Sequence, residues 1–312
     1  MLLVQYTLIF ASVLLLVALG GCFSEHSGVI NIGLEGIMVS GALGGALTMS
    51  FLPPTTPAFF MVVMVVLISL LSGMFYSLLL AVASINFKAD QTLTGTAMNL
   101  LGTATACIIV RTINMSKNPD DVSTTVKYIQ EKEALMINIG KYEFNWFIVI
   151  SVIALIASFT VLYKTKFGLR LMACGEHPQA ADSVGINVYK MRYAGVLISG
   201  ALGGLGGIAY ITAGASQWKF ENGVAGFGFL SLAVMIFGQW KPTRIALAAL
   251  LFGFFRALSN VYMGYGFLKA LNIPGTVYNM LPYIISLVVL IFTSRNSRAP
   301  KAEGIPYDKG QR

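Results

Sequence analysis

Charge is what this sequence has least of. Asp, Glu, Lys and Arg make up 11% of its 312 residues, whereas 56% are hydrophobic and the mean hydropathy is +0.75. Soluble domains carry roughly a quarter of their residues as charges, so a soluble globular protein is excluded. Histidine is equally scarce, with His26 and His177 alone, and there is no His-Glu-x-x-His pair or Gly-x-Ser-x-Gly elbow. That argues against a membrane protease or hydrolase. No Gly-x-x-x-x-Gly-Lys-Ser/Thr run occurs, so the chain does not bind ATP by a P-loop. The three cysteines, Cys22, Cys107 and Cys174, are odd in number, widely spaced and set in or beside apolar runs. They suggest neither a disulfide framework nor a metal knuckle and read as small helix-packing residues. No catalytic residue and no metal site is expected.

What the sequence does have is apolar windows long enough to cross a bilayer core, which takes about 20 residues per helix. They fall near 3–23, 29–51, 59–85, 92–110, 145–163, 193–214, 223–239, 243–263 and 278–294. The expected fold is an all-α polytopic membrane protein of about nine helices in one domain. The N-terminal run has no basic region and no convincing cleavage site, so it reads as a retained first span. Residues 112–144 break the pattern: Lys117, Lys127, Lys132 and Lys141 face Asp120, Asp121, Glu131, Glu133 and Glu143 in a nearly neutral segment. It has no spanning potential and is expected to fold as an external loop region of about thirty residues.

The net charge of +8 is a topology signal. Lys164, Lys166, Arg170, Lys190 and Arg192 lie between the fifth and sixth windows and Lys241 and Arg244 between the seventh and eighth. Arg295, Arg298, Lys301, Lys309 and Arg312 lie in the tail. These segments alternate as they should if the N-terminus is outside and the basic loops and C-terminus are cytoplasmic. Nucleic-acid binding is not needed to explain the basic balance. The sequence SGALGG occurs twice, at Ser40–Gly45 and Ser199–Gly204. An internal repeat of a transporter is one reading. The other, that small-residue faces recur because they let helices approach closely, fits better, since both copies run in the same direction across the membrane.

Polar residues inside the spans are the candidates for function. Glu35 is a carboxylate well inside a span; it either serves transport or hydrogen-bonds structurally to a helix end or to neighbouring Asn31. Arg256 sits near the middle of its span, where snorkelling is uncomfortable. Asn99, Asn260 and Thr94 offer neutral donors and acceptors for a hydrophilic path, or interhelical hydrogen bonds. Among the aromatics of the later half, which include Tyr210, Trp218, Phe227 and Phe229, those facing a cavity can stack on a planar ring. Between Lys164 and Arg192, Gly175, Glu176, His177 and Pro178 precede a short helix-compatible stretch from Gln179 and Ala180 to Val184, ended by Gly185 and followed by Asn187. A plain connector needs only a few residues, so this loop is expected to engage a partner ATPase.

Four segments together resemble a known family. They are SGVINIGLEGIMVSGALGG at Ser27–Gly45, ADQTLTGTAMNLL at Ala89–Leu101, GLRLMACGEHPQAADSVGINV at Gly168–Val188 and GFGFLSLAVMIFGQWKP at Gly226–Pro242. They resemble the permease subunits of ABC importers in the branched-chain amino acid and simple-sugar group, and within it they are most similar to the nucleoside-uptake permeases. The resemblance implies a multi-pass permease of a bacterial cell membrane. It implies ATP and Mg on a partner ATP-binding subunit, a second related permease chain and an external lipoprotein that delivers a nucleoside. The loop around Gly175–Asn187 would be the coupling helix. Asn31–Gly36 carries the substrate assignment. A branched-chain amino acid, a simple sugar, or an ion-driven secondary transporter are the alternatives.

Overall fold

The computed structural model describes residues 2–53, 55–128, 131–139, 142–213, 217–264, 274–293 and 299–310. Among them, eight helical segments are long and apolar enough to cross a membrane. The ninth expected window coincides with a further helix, Gly275–Thr293, which contains Pro282. The helices used below are α1 (Leu2–His26), α2 (Leu34–Phe51), α3 (Ala58–Ala81), α4 (Gln91–Lys117), α5 (Trp146–Lys164), α6 (Lys166–Glu176), α7 (Pro178–Ser183), α8 (Val188–Thr212), α9 (Phe227–Phe237), α10 (Pro242–Val261) and α11 (Gly275–Thr293).

A helix that is apolar all round belongs inside a bundle, and α1 is the case in point. It is enclosed by α5, α8, α9 and α10, and its residues from Ile9 to Glu25 are buried. The second inner helix, α8, owes its place to small residues. It packs on α1, α2 and α3 at once, closely enough that a Cβ on Gly41 would lie 2.2 Å from the Gly204 Cα and one on Gly207 would lie 1.9 Å from the Met38 carbonyl oxygen. The two SGALGG segments meet at Gly41 and Gly204, with α2 and α8 running parallel, and their other glycines rest mostly on α3, which is the close-approach reading of the repetition.

The second window departs from expectation at its start. Residues 27–33 are not helical, and α2 begins only at Leu34. Non-helical backbone at membrane depth is tolerated where protein groups satisfy it, and α4 supplies them. Gln91 Oε1 accepts from Ile30 N–H (2.7 Å), Asn99 Nδ2 donates to the Ile32 carbonyl (3.0 Å) and Asn99 Oδ1 accepts from Gly36 N–H (2.9 Å).

Within residues 112–144, a strand β1 (Thr125–Lys127) and a hairpin of β2 (Met136–Ile139) and β3 (Tyr142–Asn145) are formed. β1 pairs antiparallel with β4 (Gln217–Lys219), from the segment between α8 and α9. The pairing ties two loops at one end of the bundle. The basic segments meet at the other end. There the Ala302 N–H donates to the Gly175 carbonyl (2.8 Å) and Trp240 Nε1 donates to Glu25 at the end of α1.

Placing a side chain against backbone that cannot yield costs at least the 1–3 kcal/mol typical of overpacking. Gly207→Val is therefore expected to lower the thermal midpoint of the detergent-purified protein by several degrees or abolish folded yield. Gly264→Ala, where a Cβ meets nothing within 4 Å, is expected to leave the midpoint within one degree or so on the same scale.

Candidate functional site

Tyr6 and Phe10 lie one turn apart on α1, and Arg256 and Asn260 one turn apart on α10, so each pair shares a helix face. These faces meet Tyr210 near the end of α8 and Trp218 of β4 around a cavity of about 510 Å³ at the β1–β4 end of the bundle. The lining residues Phe10, Tyr210 and Trp218 join, through Phe227 buried behind them, in a continuous aromatic array. Phe10 and Phe227 have centroids 5.8 Å apart, Tyr210 and Phe227 4.2 Å, and Tyr210 and Trp218 5.4 Å with planes at 76°. The Arg256 guanidinium lies over Phe227 (5.3 Å) and Phe10 (5.9 Å). Its Nε is buried with no hydrogen-bond partner. This cation is held by ring faces.

Glu35 does not line this cavity, but it builds it. Its Oε1 accepts from Gly226 N–H (2.8 Å) and its Oε2 from Gly228 N–H (2.7 Å), so the carboxylate sits at the N-terminus of α9, where unpaired donors and the helix dipole favour an anion. Gly226 takes a left-handed backbone, φ +80°, which suits glycine. Together they fix Phe227, the first residue of α9, against Tyr210. Of the structural readings left open for Glu35, the helix end is the one realised; Asn31 instead donates to Ser199 Oγ (2.8 Å).

Of the residues singled out for a path, Phe227, Arg256 and Asn260 therefore come together. Asn31 staples residues 27–33 to α8, and Asn99 staples them to α4. Thr94 is half-buried and donates to the Asp90 carbonyl of its own helix (2.7 Å), and Phe229 is exposed on α9. Tyr6 and Phe10 were missed. Their one signal is an i, i+4 aromatic pair in the first helix, which looks the same as ordinary packing.

At the opposite end the 164–192 segment holds two helices. α6, capped by Thr165 Oγ1 accepting from Gly168 N–H (3.2 Å), was not expected; α7 was, and Pro178 opens it at the first helical position, where proline is favoured. Gly175 and Pro178 are buried, Gly175 so close to α1 that a Cβ would lie 2.3 Å from the His26 carbonyl oxygen. Glu176, His177, Gln179, Ala180, Val184, Gly185 and Asn187 are exposed, and Asn187 Oδ1 caps α8 by accepting from Lys190 N–H (3.0 Å). The result is a short helix presented outward on a rigid mount.

A membrane-spanning bundle with a cavity at one end and a braced helical loop at the other has the architecture of a transport subunit. The chain belongs to the family described as the branched-chain amino acid transport system permease component, whose pattern matches residues 3–294. Members are membrane-embedded permeases of ABC transporters, in which ATP hydrolysis belongs to a separate ATPase. The chain is 40% identical to the guanosine ABC transporter permease NupQ of Bacillus subtilis, over 99% of this chain and 97% of that one. It is 37% identical to the nucleoside ABC transporter permease NupC of Lactococcus lactis, over 97% and 96%. An ABC transporter solved in an inward-facing conformation matches 93% of this chain and 85% of its own with a TM-score of 0.51, at 17% identity, and so shares the fold.

Removing Glu35 leaves two N–H groups at the start of α9 without their acceptor. Each hydrogen bond to a charged group is worth about 1.5–3 kcal/mol. Glu35→Ala is expected to destabilise the purified protein by about that amount or more, read as a lowered melting temperature, and to increase hydrogen exchange at residues 224–230.

Proposed function

We propose that this chain is one of two related permease subunits of a bacterial nucleoside importer, oriented with its basic loops in the cytoplasm. ATP and Mg are bound by the ATPase that seats on α7, and an external lipoprotein delivers the nucleoside at the β1–β4 end. The observation that carries the substrate class is the cavity. A nucleoside presents a flat ring and polar edges, and the wall offers stacking faces from Tyr210, Trp218 and Phe10 beside donors from Arg256 and Asn260. The likeness to permeases described as guanosine and nucleoside transporters supports the same class.

The alternatives fit the cavity less well. A branched-chain amino acid carries an ammonium group, and no Asp or Glu lines the cavity among the described residues. A sugar needs many hydrogen-bonding partners, yet most of this wall is aromatic or aliphatic. An ion-driven mechanism needs an intramembrane carboxylate free to bind the ion, and Glu35 is already engaged by two backbone N–H groups.

Transport then proceeds by alternating access. Closure of the ATPase moves α6 and α7, and the bundle rearranges along the glycine contacts of α8 so that the cavity opens to one side at a time. Such a cycle needs two packings that the ATPase distinguishes.

Labelled guanosine uptake by cells carrying this importer is expected to be competed by unlabelled nucleosides and left unchanged by leucine or ribose; competition by leucine or ribose alone would overturn the substrate class. Arg256→Gln is expected to raise the KM for uptake roughly tenfold, equivalent to one hydrogen bond, with little change in ATPase association. Lysine substitution at Gln179 and Val184 is expected to do the reverse, releasing the ATPase in co-purification. Uptake that survives loss of the ATPase but collapses with an ionophore would replace this mechanism with ion coupling.

A further inference from the structure

The helix α9 has 11 residues, which makes it about 16 Å long, and both of its ends are pinned. At its start, Glu35 binds the N–H groups of Gly226 and Gly228 and so sets Phe227 against Tyr210. At its far end the chain passes through Gly238, Gln239, Trp240 and Lys241 into α10, and there α1 holds the turn. Trp240 Nε1 donates to the Glu25 carboxylate, Cys22 Sγ donates to the Trp240 carbonyl (3.2 Å), and His26 Nε2 bonds to the same oxygen (3.0 Å). Cys22, Glu25 and His26 share one face at the end of α1, and Trp240 and Glu25 are both buried.

The turn itself is strained. Gln239 and Trp240 in succession have φ of +52° and +55°, left-handed backbone that a residue with a Cβ adopts at a cost. Such residues persist only where their surroundings over-determine them. On one side the three α1 contacts do this. On the other, Gly238 is pressed on α10, where a Cβ would lie 2.5 Å from Ile245 Cγ1 and 2.6 Å from its backbone nitrogen. Freed from α1, the turn relaxes toward ordinary backbone and the end of α9 shifts with it.

The part of α1 that holds the turn is also the part on which α6 rests, through the close approach of Gly175 to the His26 carbonyl. From the mount of α7 to Phe227 there is thus an unbroken series of contacts: Gly175 on His26, the end of α1 on Trp240, and α9 itself. Contiguity alone does not carry coupling; some element in the series must have two arrangements. The strained turn is that element.

We propose that the Gln239–Trp240 turn is the joint through which movement of the docking mount reaches the cavity, with Trp240 and Glu25 as the positioning residues that hold α9 to α1 in the arrangement seen here. The proposal rests on α7 being the docking element. Because α1 also extends from His26 to Phe10 at the cavity, a rigid α1 could pass on the movement with neither the Trp240–Glu25 bond nor the strain, and removing each of these separates the two routes.

The test uses the whole importer with its ATPase and lipoprotein in lipid nanodiscs, and guanosine as the nucleoside. Trp240→Phe keeps a ring in place but removes the Nε1 donor, Glu25→Met removes the acceptor at similar volume, and Glu25→Gln keeps an acceptor oxygen. In Trp240→Phe and in Glu25→Met, guanosine-stimulated ATP hydrolysis is expected to fall roughly fivefold or more, the lower end of coupling between sites. The half-maximal guanosine concentration stays within about twofold of wild type, and the ATPase still co-purifies. The double variant should fall no further than either single one, as two partners of one bond require, and Glu25→Gln should match wild type. Gln239→Gly relieves one left-handed residue and gives the joint slack, so stimulation is expected to fall while the thermal midpoint does not, a combination that a purely structural staple does not produce. Unchanged stimulation in folded Trp240→Phe and Glu25→Met would overturn the proposal. So would a loss that tracks the thermal midpoint across the variants, or failure of both to fold. If lysine at Gln179 and Val184 leaves the ATPase associated, the docking assignment of α7 fails instead, whatever the Trp240 variants report.

Discussion

The structure depends on the close approach of α8 to three neighbours. Lipid offers no hydrophobic drive for helices to associate, so packing and hydrogen bonding must hold the bundle. Where α2 and α3 cross α8, glycine at 41, 73, 200, 204 and 207 lets backbone rest on backbone. That contact sets the depth of α2 and hence the place where its helix can start.

From that starting point the site follows by short steps. With residues 27–33 unwound, their backbone groups need partners, which Gln91 and Asn99 supply, while Asn31 ties the segment to α8. Glu35 then falls in the first turn of α2, opposite the beginning of α9, where its carboxylate binds two N–H groups. That fixes Phe227 beneath Tyr210 and Arg256. Much of the buried polarity of these helices thus goes into holding irregular backbone, while the Arg256 guanidinium lies over ring systems at the cavity.

The two ends of the bundle are built differently. The β1–β4 pair bridges two loops beside the cavity. The other end is braced: Gly175 is pressed on α1, Pro178 and Asn187 start α7 and α8, and the segment 299–310 crosses all three. Under the proposed function, in which α7 passes on the movement of the ATPase, such a mount leaves little slack to absorb it.

Hydropathy is a local, additive property of consecutive residues, and it was enough to locate every described span, the polar interruption at 112–144 and the basic segments that gather at one end. The punctuation of Pro178 and Gly185 likewise marked α7, because turn and cap chemistry are local too. Deciding among Asn31, Asn99, Thr94 and Asn260 was beyond it, since each is a neutral polar residue in an apolar run and only the neighbour opposite says whether it staples backbone or faces a cavity. The same holds for Glu35, whose partners lie 191 and 193 residues away, and for Tyr6 and Phe10, which became part of the cavity through α10. The sequence by itself determined that this chain crosses a membrane repeatedly and which residues are costly to bury there. Tertiary structure alone decided which of those costs were met by backbone groups and which by ring faces, because a buried polar group is defined by its partner and the partners here are distant in the chain.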